Sequence, residues 1–286
     1  MAPALTNNFS WSQALSESID IPGRDPSVVI DRPIWFRHKT ALESGASGFG
    51  VTAGAGAQVI TSIRLSPPKP SFYGLNFGVV KAAVRQLRFD HPAIASRHGW
   101  SAQPPAPEHA VFAYEVPGSE SDIDTWLSQV VFDRTDVMLA SNGDIEKAVE
   151  TLTYDLGKPY LFGIPLFVVH YIPAALPDGQ HGLIFFFNHS IFDAIGCFQI
   201  MDLCISNIAD SLAAGGKRSS LPWGEEISRL PPALIESVRI PHTAAKLPED
   251  EIMIQKVKDS AQSLLVSSSE YIDTSYCDSS YSIECP

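Results

Sequence analysis

Seven residues, Asn188-His189-Ser190-Ile191-Phe192-Asp193-Ala194, place a histidine and a carboxylate four positions apart, just past a run of apolar residues. Histidine is the side chain whose ordinary pKa lets it take up and release protons near neutral pH. With an acid nearby to orient it, it can serve as a general base. Ionisable groups at the end of a buried run are costly unless they serve a purpose. Catalytic groups also gather on loops at strand ends, where a rigid scaffold aims them. The same residues allow a plainer arrangement, with Asp193 as the N-cap of a helix starting near Ala194 and His189 as a satisfied loop histidine. H-x-x-x-D is a short pattern, and on the motif alone both readings stand.

The flanking elements must position that loop. Residues 182–188, Gly-Leu-Ile-Phe-Phe-Phe-Asn, form a continuous apolar run that predicts a strand buried on both faces, in the middle of a sheet. Residues 164–172 predict a partner strand, and Pro177, Asp178 and Gly179 a turn between the two. On that first strand, His170 reads as a core or edge histidine. After the motif, Phe198, Met201, Ile205, Ile208 and Leu212 recur at three and four residues and predict a helix that buries them, ended by Gly215-Gly216.

Earlier in the chain, Val80, Val84 and Leu87 share one face of a predicted helix over 76–90, which Pro92 prevents from continuing. A strand is predicted over 110–116. A helix over 122–132 has Ser121 as cap and Ile123, Trp126, Leu127 and Val130 inward, and a shorter one covers 144–152. The glycine-rich stretch 44–57 precedes the strand-like run 58–65 instead of following a strand, so it reads as a surface loop and not a nucleotide loop. Residues 216–250 are irregular, 250–265 predict an amphipathic helix, and 266–286 a disordered tail. The domain expectation is one lobe over 1–265 followed by that tail.

Composition excludes several classes. A net charge of −12 over 286 residues repels phosphate backbones, so no nucleic-acid partner is expected. No apolar run approaches the roughly 20 residues of a membrane-spanning helix. Cys197, Cys204, Cys277 and Cys285 form no C-x-x-C pair, no Cys/His cluster has zinc spacing, and no metal is expected. The N-terminus lacks the basic flank and apolar segment of a signal peptide, so a cytoplasmic location is expected.

Four segments, in order, carry a resemblance. Val84-Arg85-Gln86-Leu87-Arg88-Phe89-Asp90-His91-Pro92-Ala93-Ile94, Tyr154-Asp155-Leu156-Gly157-Lys158-Pro159-Tyr160, the strand leading into His189 and Asp193, and Trp223-Gly224-Glu225-Glu226-Ile227-Ser228-Arg229-Leu230 resemble the H-x-x-x-D acyltransferase superfamily. That superfamily includes chloramphenicol acetyltransferase, peptide-synthetase condensation domains and BAHD acyltransferases. The last segment is most similar to the fungal trichothecene O-acetyltransferases. The resemblance implies an α/β (α+β sandwich) fold, a chloramphenicol acetyltransferase-like lobe with a mixed β-sheet covered by helices. It implies a CoA-dependent O-acyltransferase moving an acetyl or other acyl group to a hydroxyl of a small secondary metabolite. His189 would be the general base. Asp193 would hold the motif loop by charge pairing without touching substrate. Acyl-CoA, acetyl-CoA foremost, is the implied co-substrate, and no CoA-binding residue of this chain is identified by the resemblance.

Two residues depart from the common pattern: Asn188 stands where many members have a second histidine, and Ala194 where many have glycine. The resemblance covers about residues 10–260 and corresponds to the N-terminal lobe of two-lobed relatives; the Asp-Phe-Gly-Trp-Gly segment that BAHD enzymes carry in the second lobe has no counterpart here. A lone lobe is expected to expose an apolar patch and to associate with itself or with a partner chain that completes the site. The alternatives are a non-catalytic binding or regulatory lobe, or a non-transferase use of the same cleft such as cyclisation.

Overall fold

The computed structural model describes residues 10–15, 18–22, 34–40, 43, 58–66, 74–101, 110–156, 165–176, 179–215 and 220–232. The chain divides after Leu234, and every described residue lies in the first unit, Met1–Leu234. The expected helix over 250–265, the tail over 266–286 and the glycine-rich stretch 44–57 lie outside the described residues.

Among the described residues, eight strands form two sheets. β1 (Ser12–Ala14), β2 (Ile34–His38), β5 (Ala110–Glu115) and β4 (Arg97–Trp100) make one, in that order and antiparallel throughout. β3 (Gln58–Leu65), β8 (His181–Asn188), β7 (Phe167–Ile172) and β6 (Val131–Asp133) make the other, in which β6 alone runs parallel to its neighbour. The mixed sheet expected from the sequence is this second one, and the all-antiparallel sheet stands beside it.

The apolar run over 182–188 behaves as its composition demands. β8 lies between β3 and β7, and all its residues from His181 to Phe187 are buried. Phe185 and Phe187 point to one face and join the main core with Phe167, their rings 5.5 to 6.4 Å apart. Ile184 points to the other face, where Ile172, Ala148, Leu152 and Leu156 form a second cluster. A strand with two apolar faces needs cover on both, and helices supply it.

α1 (Phe77–Asp90) begins at Asn76, whose Oδ1 accepts from the Val79 amide, and it buries Val79, Val80, Ala83, Val84 and Leu87 in the main core. Each such buried valine or leucine contributes about 1.5–3 kcal/mol relative to exposure. α2 (Glu120–Val130) buries Ile123, Trp126, Leu127 and Val130, as its spacing predicts. Its cap is Ser119, two residues before the expected Ser121, because the Ser119 hydroxyl is the one that accepts from the Asp122 amide. α3 (Thr135–Ala140) and α4 (Ile145–Leu156) cover the second cluster.

α5 (Ala194–Ala213) holds Met201 and Ile208 of its predicted stripe in the core, with Leu212 packed against it, but not Phe198. It buries Cys197, Ile200, Met201, Cys204 and Ile208, whereas Phe198 is 61% exposed. The helix is apolar around most of its circumference, so two stripes a residue apart satisfy the same three–four spacing, and packing against α1 and β3 selects one. Thr61 of β3 donates its hydroxyl to the Met201 sulfur at 2.9 Å, and Asn207 donates to the carbonyl of Ala83 at 3.4 Å.

Residues 220–232 strap the two ends of the lobe together. Arg229 donates twice to the carbonyl of Phe89 at the end of α1, at 3.0 and 2.7 Å. The Trp11 indole donates to the carbonyl of Pro231 at 2.7 Å. Glu226, in a short 3-10 turn (Glu225–Arg229), is wholly buried and accepts from the Tyr114 hydroxyl of β5.

Candidate functional site

β8 ends at Asn188, α5 starts at Ala194, and the five residues between them form a turn closed by its own hydrogen bonds. The Asn188 amide donates to the carbonyl of Leu166 at 2.8 Å, which pins the strand end to the segment before β7. The Asn188 carbonyl accepts from the amides of Ile191 and Phe192, and its side-chain oxygen accepts from the amide and the hydroxyl of Ser190, at 2.9 and 2.6 Å. Asparagine favours this closure because its short amide reaches the backbone two residues on. Phe192 packs edge-on against Phe187 at 5.4 Å and anchors the far side of the turn in the core.

His189 is the residue the turn presents. It is exposed, while Ser190 beside it and Phe192 beyond it are buried. In the sequence Asn188 reads as a departure from a second histidine. Its structural part, two side-chain bonds closing the turn under His189, is signalled by the Asn-x-Ser spacing. Ser190 is held by Asn188 and is 4% exposed.

Asp193 is the N-cap of α5. Its Oδ1 accepts from the Gly196 amide at 2.7 Å, and the Cys197 amide donates to its carbonyl at 2.9 Å. A carboxylate here also meets the positive end of the helix. Charge pairing was the expected role. Among the described residues Asp193 forms no ion pair, and it fixes the loop by capping. A Cβ added at Gly196 would stand 3.1 Å from Asp193 Oδ1, so glycine leaves the cap its room. Cys197, one turn into the helix, is buried; burial and then the Asp193 charge push its thiol up to about 11, which keeps it protonated.

The motif histidine and aspartate are thus brought to one turn, the first facing solvent and the second holding the helix start. The exposed side chains of the first helical turns, Ile195 at 68% and Phe198, lie on the same loop–helix junction. His170 is elsewhere. It is 3% exposed, opposite Ile184 on the face that carries the second cluster, stacked on Phe132 at 5.3 Å, and its Nδ1 accepts from Arg134 at 2.9 Å. It is a core histidine. Among the described residues no three His, Cys, Asp or Glu side chains converge as metal ligands would, and no helix is long and apolar enough to cross a membrane.

The arrangement of sheets and helices is similar to that of the TRI3 trichothecene 15-O-acetyltransferase of Fusarium sporotrichioides, with a TM-score of 0.59 at 16% identity over 79% of this chain. The chain has an acyltransferase-like fold. Weaker likenesses reach the starter condensation domain of rhizomide synthetase (TM-score 0.43, 15% identity, 66% of this chain) and the first condensation domain of the calcium-dependent antibiotic synthetase (0.46, 14%, 64%). This chain spans less than half of those chains: 45%, 42% and 41% of their lengths respectively. No protein-family model matches the sequence, and no curated protein matches it in sequence.

Proposed function

We propose that the chain is a CoA-dependent O-acyltransferase, moving an acetyl or other acyl group from acyl-CoA to a hydroxyl of a small secondary metabolite. His189 is the general base and Asp193 a positioning residue. The observation that carries the reading is the placement of His189. It stands at solvent on a turn clamped by Asn188 and Asp193, at the end of the central strand of an acyltransferase-like fold. A base in that position takes the proton of the acceptor hydroxyl as its oxygen attacks the thioester carbonyl. The C–S bond breaks, and the thiolate leaves with the proton that His189 returns. Such a base contributes roughly 10²–10⁴-fold to rate.

The exposure of Ile195 and Phe198 beside His189 favours a second part to the proposal: a further copy of the chain or a partner covers this junction and completes the acyl channel. The same exposure supports the second reading, a lobe that binds acyl-CoA or its acceptor without turnover. Free-thiol release from acetyl-CoA, measured with a panel of terpenoid and polyketide alcohols, separates them. Release that depends on the acceptor supports the transferase. Binding of acetyl-CoA by calorimetry with no release under any acceptor supports the binding lobe.

A further inference from the structure

A second reactive cluster lies on the antiparallel sheet, and nothing above uses it. Arg37, Phe112 and His98 are register partners across β2, β5 and β4, so their side chains stand in a row on one face. Lys39 follows two residues after Arg37, past the end of β2. The Lys39 Nζ sits 4.9 Å from the centroid of the Phe112 ring and 2.6 Å from His98 Nδ1. The Arg37 guanidinium lies 5.0 Å from the same ring centroid. Glu43 grips it with both carboxylate oxygens, at 2.9 and 2.7 Å, but these bonds use Nη1 and Nη2, and the buried Arg37 Nε–H has no partner among the described residues.

From this geometry we infer that Lys39 is an acyl-capturing nucleophile, whose amine attacks a thioester carbonyl while the Arg37 guanidinium stands by the developing oxyanion. Three features support it. An amine wedged between an imidazole and an aromatic ring, with a guanidinium nearby, is poorly solvated as a cation; burial first, and then the Arg37 charge, hold Lys39 down at about 7 in spite of Glu43. Desolvation and a neighbouring cation are the two ways a lysine is made nucleophilic. His98 is held neutral by burial and by Lys39 itself, at about 3, so it adds no positive charge beside the amine, and with its proton on Nε2 its Nδ1 accepts an N–H of Lys39. A buried donor without a partner is rare enough to call for an explanation, and a transient oxyanion supplies one.

The step balances. The Nζ lone pair forms a bond to the carbonyl carbon, the C–S bond breaks and carries its electron pair to sulfur, and one N–H proton passes along the His98 hydrogen bond to solvent. A thiolate takes up a proton, and an amide on Lys39 remains. This chemistry uses neither His189 nor Asp193.

The test is peptide mapping of the full chain after brief exposure to the acetyl thioester of N-acetylcysteamine, from pH 6 to 9, folded and in urea. Among the described residues, Arg37 and Glu43 are charged groups that act on Lys39, with His98 neutral across this range. Lys39 should be acetylated on the order of tenfold faster than the average lysine at pH 7.5. Its rate should be half-maximal near pH 7, and the preference should vanish in urea. It should survive His189→Ala, so a failed transferase assay leaves this result standing and the reverse also holds. Uniform labelling, labelling slower in the folded chain than in urea, a midpoint near that of an ordinary lysine, or loss of labelling in His189→Ala would each overturn the inference.

Discussion

The Tyr114 hydroxyl donates to Glu226 Oε1 at 2.9 Å across 112 residues of chain, and both groups are buried. Arg88 completes the arrangement: its guanidinium lies 4.6 Å from the Trp126 ring and 5.8 Å from that of Tyr114, and it donates to the carbonyl of Glu115. Burial and the Glu226 charge push the Tyr114 hydroxyl up, so it stays a donor. A buried carboxylate is tolerable only when its lone pairs are met. Tyr114→Phe removes one donor and nothing else of comparable size. Urea unfolding should show a loss of about 2–3 kcal/mol. A change below about 0.5 kcal/mol would mean that the network does not hold the strap.

Asp193 acts through a helix cap, and caps make a discriminating prediction. Asparagine caps about as well as aspartate, whereas alanine costs typically about 1 kcal/mol. Asp193→Asn should therefore keep both stability and acyl transfer near the parent, and Asp193→Ala should lose about 1 kcal/mol and reduce turnover as the His189 turn loosens. If Asp193→Asn lowered activity as far as alanine does, the charge of Asp193 would matter beyond the cap. Thermal unfolding and thiol release on the same samples decide between them.

Two histidines give the fold a pH dependence whose sign is fixed. Burial first, then Arg134, depresses His170 to about 3; burial, then Lys39, depresses His98 to about 3. The unfolded chain binds these protons near pH 6.5. A depressed folded pKa means that the stability these groups contribute is whole above 6.5 and lost as pH falls towards 3. From pH 7 to 5 the loss is on the order of 2 kcal/mol per histidine at most. His170→Asn keeps an acceptor for Arg134 without the titration, so its urea midpoint should fall less over that interval. An equal slope in parent and variant would remove His170 from the account.

The loop–helix junction should be sticky without being structural. Ile195 and Phe198 are 68% and 61% exposed, so Ile195→Ser with Phe198→Ser should change stability by less than about 0.5 kcal/mol per site. Light scattering should show the parent chain self-associating and the double variant doing so less. A parent that stays monomeric at high concentration would rule out self-association through this surface.

How far the sequence foretold this arrangement follows from the strength of each local signal. β8 was legible because five successive apolar residues, Leu183 to Phe187, leave a strand no polar face, and α2 because Ile123, Trp126, Leu127 and Val130 mark one stripe against a polar remainder. α5 was legible as a helix but only partly in its rotation, since its apolar residues outnumber one stripe and Phe198 fits the spacing as well as Cys197 does. β1, β4 and β6 have three or four residues each, too few for alternation to show, and β6 follows α2 with no break between Val130 and Val131. The antiparallel sheet was therefore not legible, and with it the Lys39 cluster, in which Lys39 and His98 lie 59 residues apart in sequence. At the motif, the spacing from Asp193 to Gly196 announced a cap. That His189 would face solvent depended on how Asn188 and Ser190 close the turn.

The central claim is that His189 is a base, and His189→Ala tests it most directly. The side chain is exposed and forms no hydrogen bond or ion pair among the described residues, so the variant should unfold at the parent's temperature. Acceptor-dependent thiol release from acetyl-CoA should fall by about 10²–10⁴-fold, with the dependence on acceptor concentration little changed. Parent-like release from a folded His189→Ala protein would contradict the account and move the chemistry away from the turn between β8 and α5.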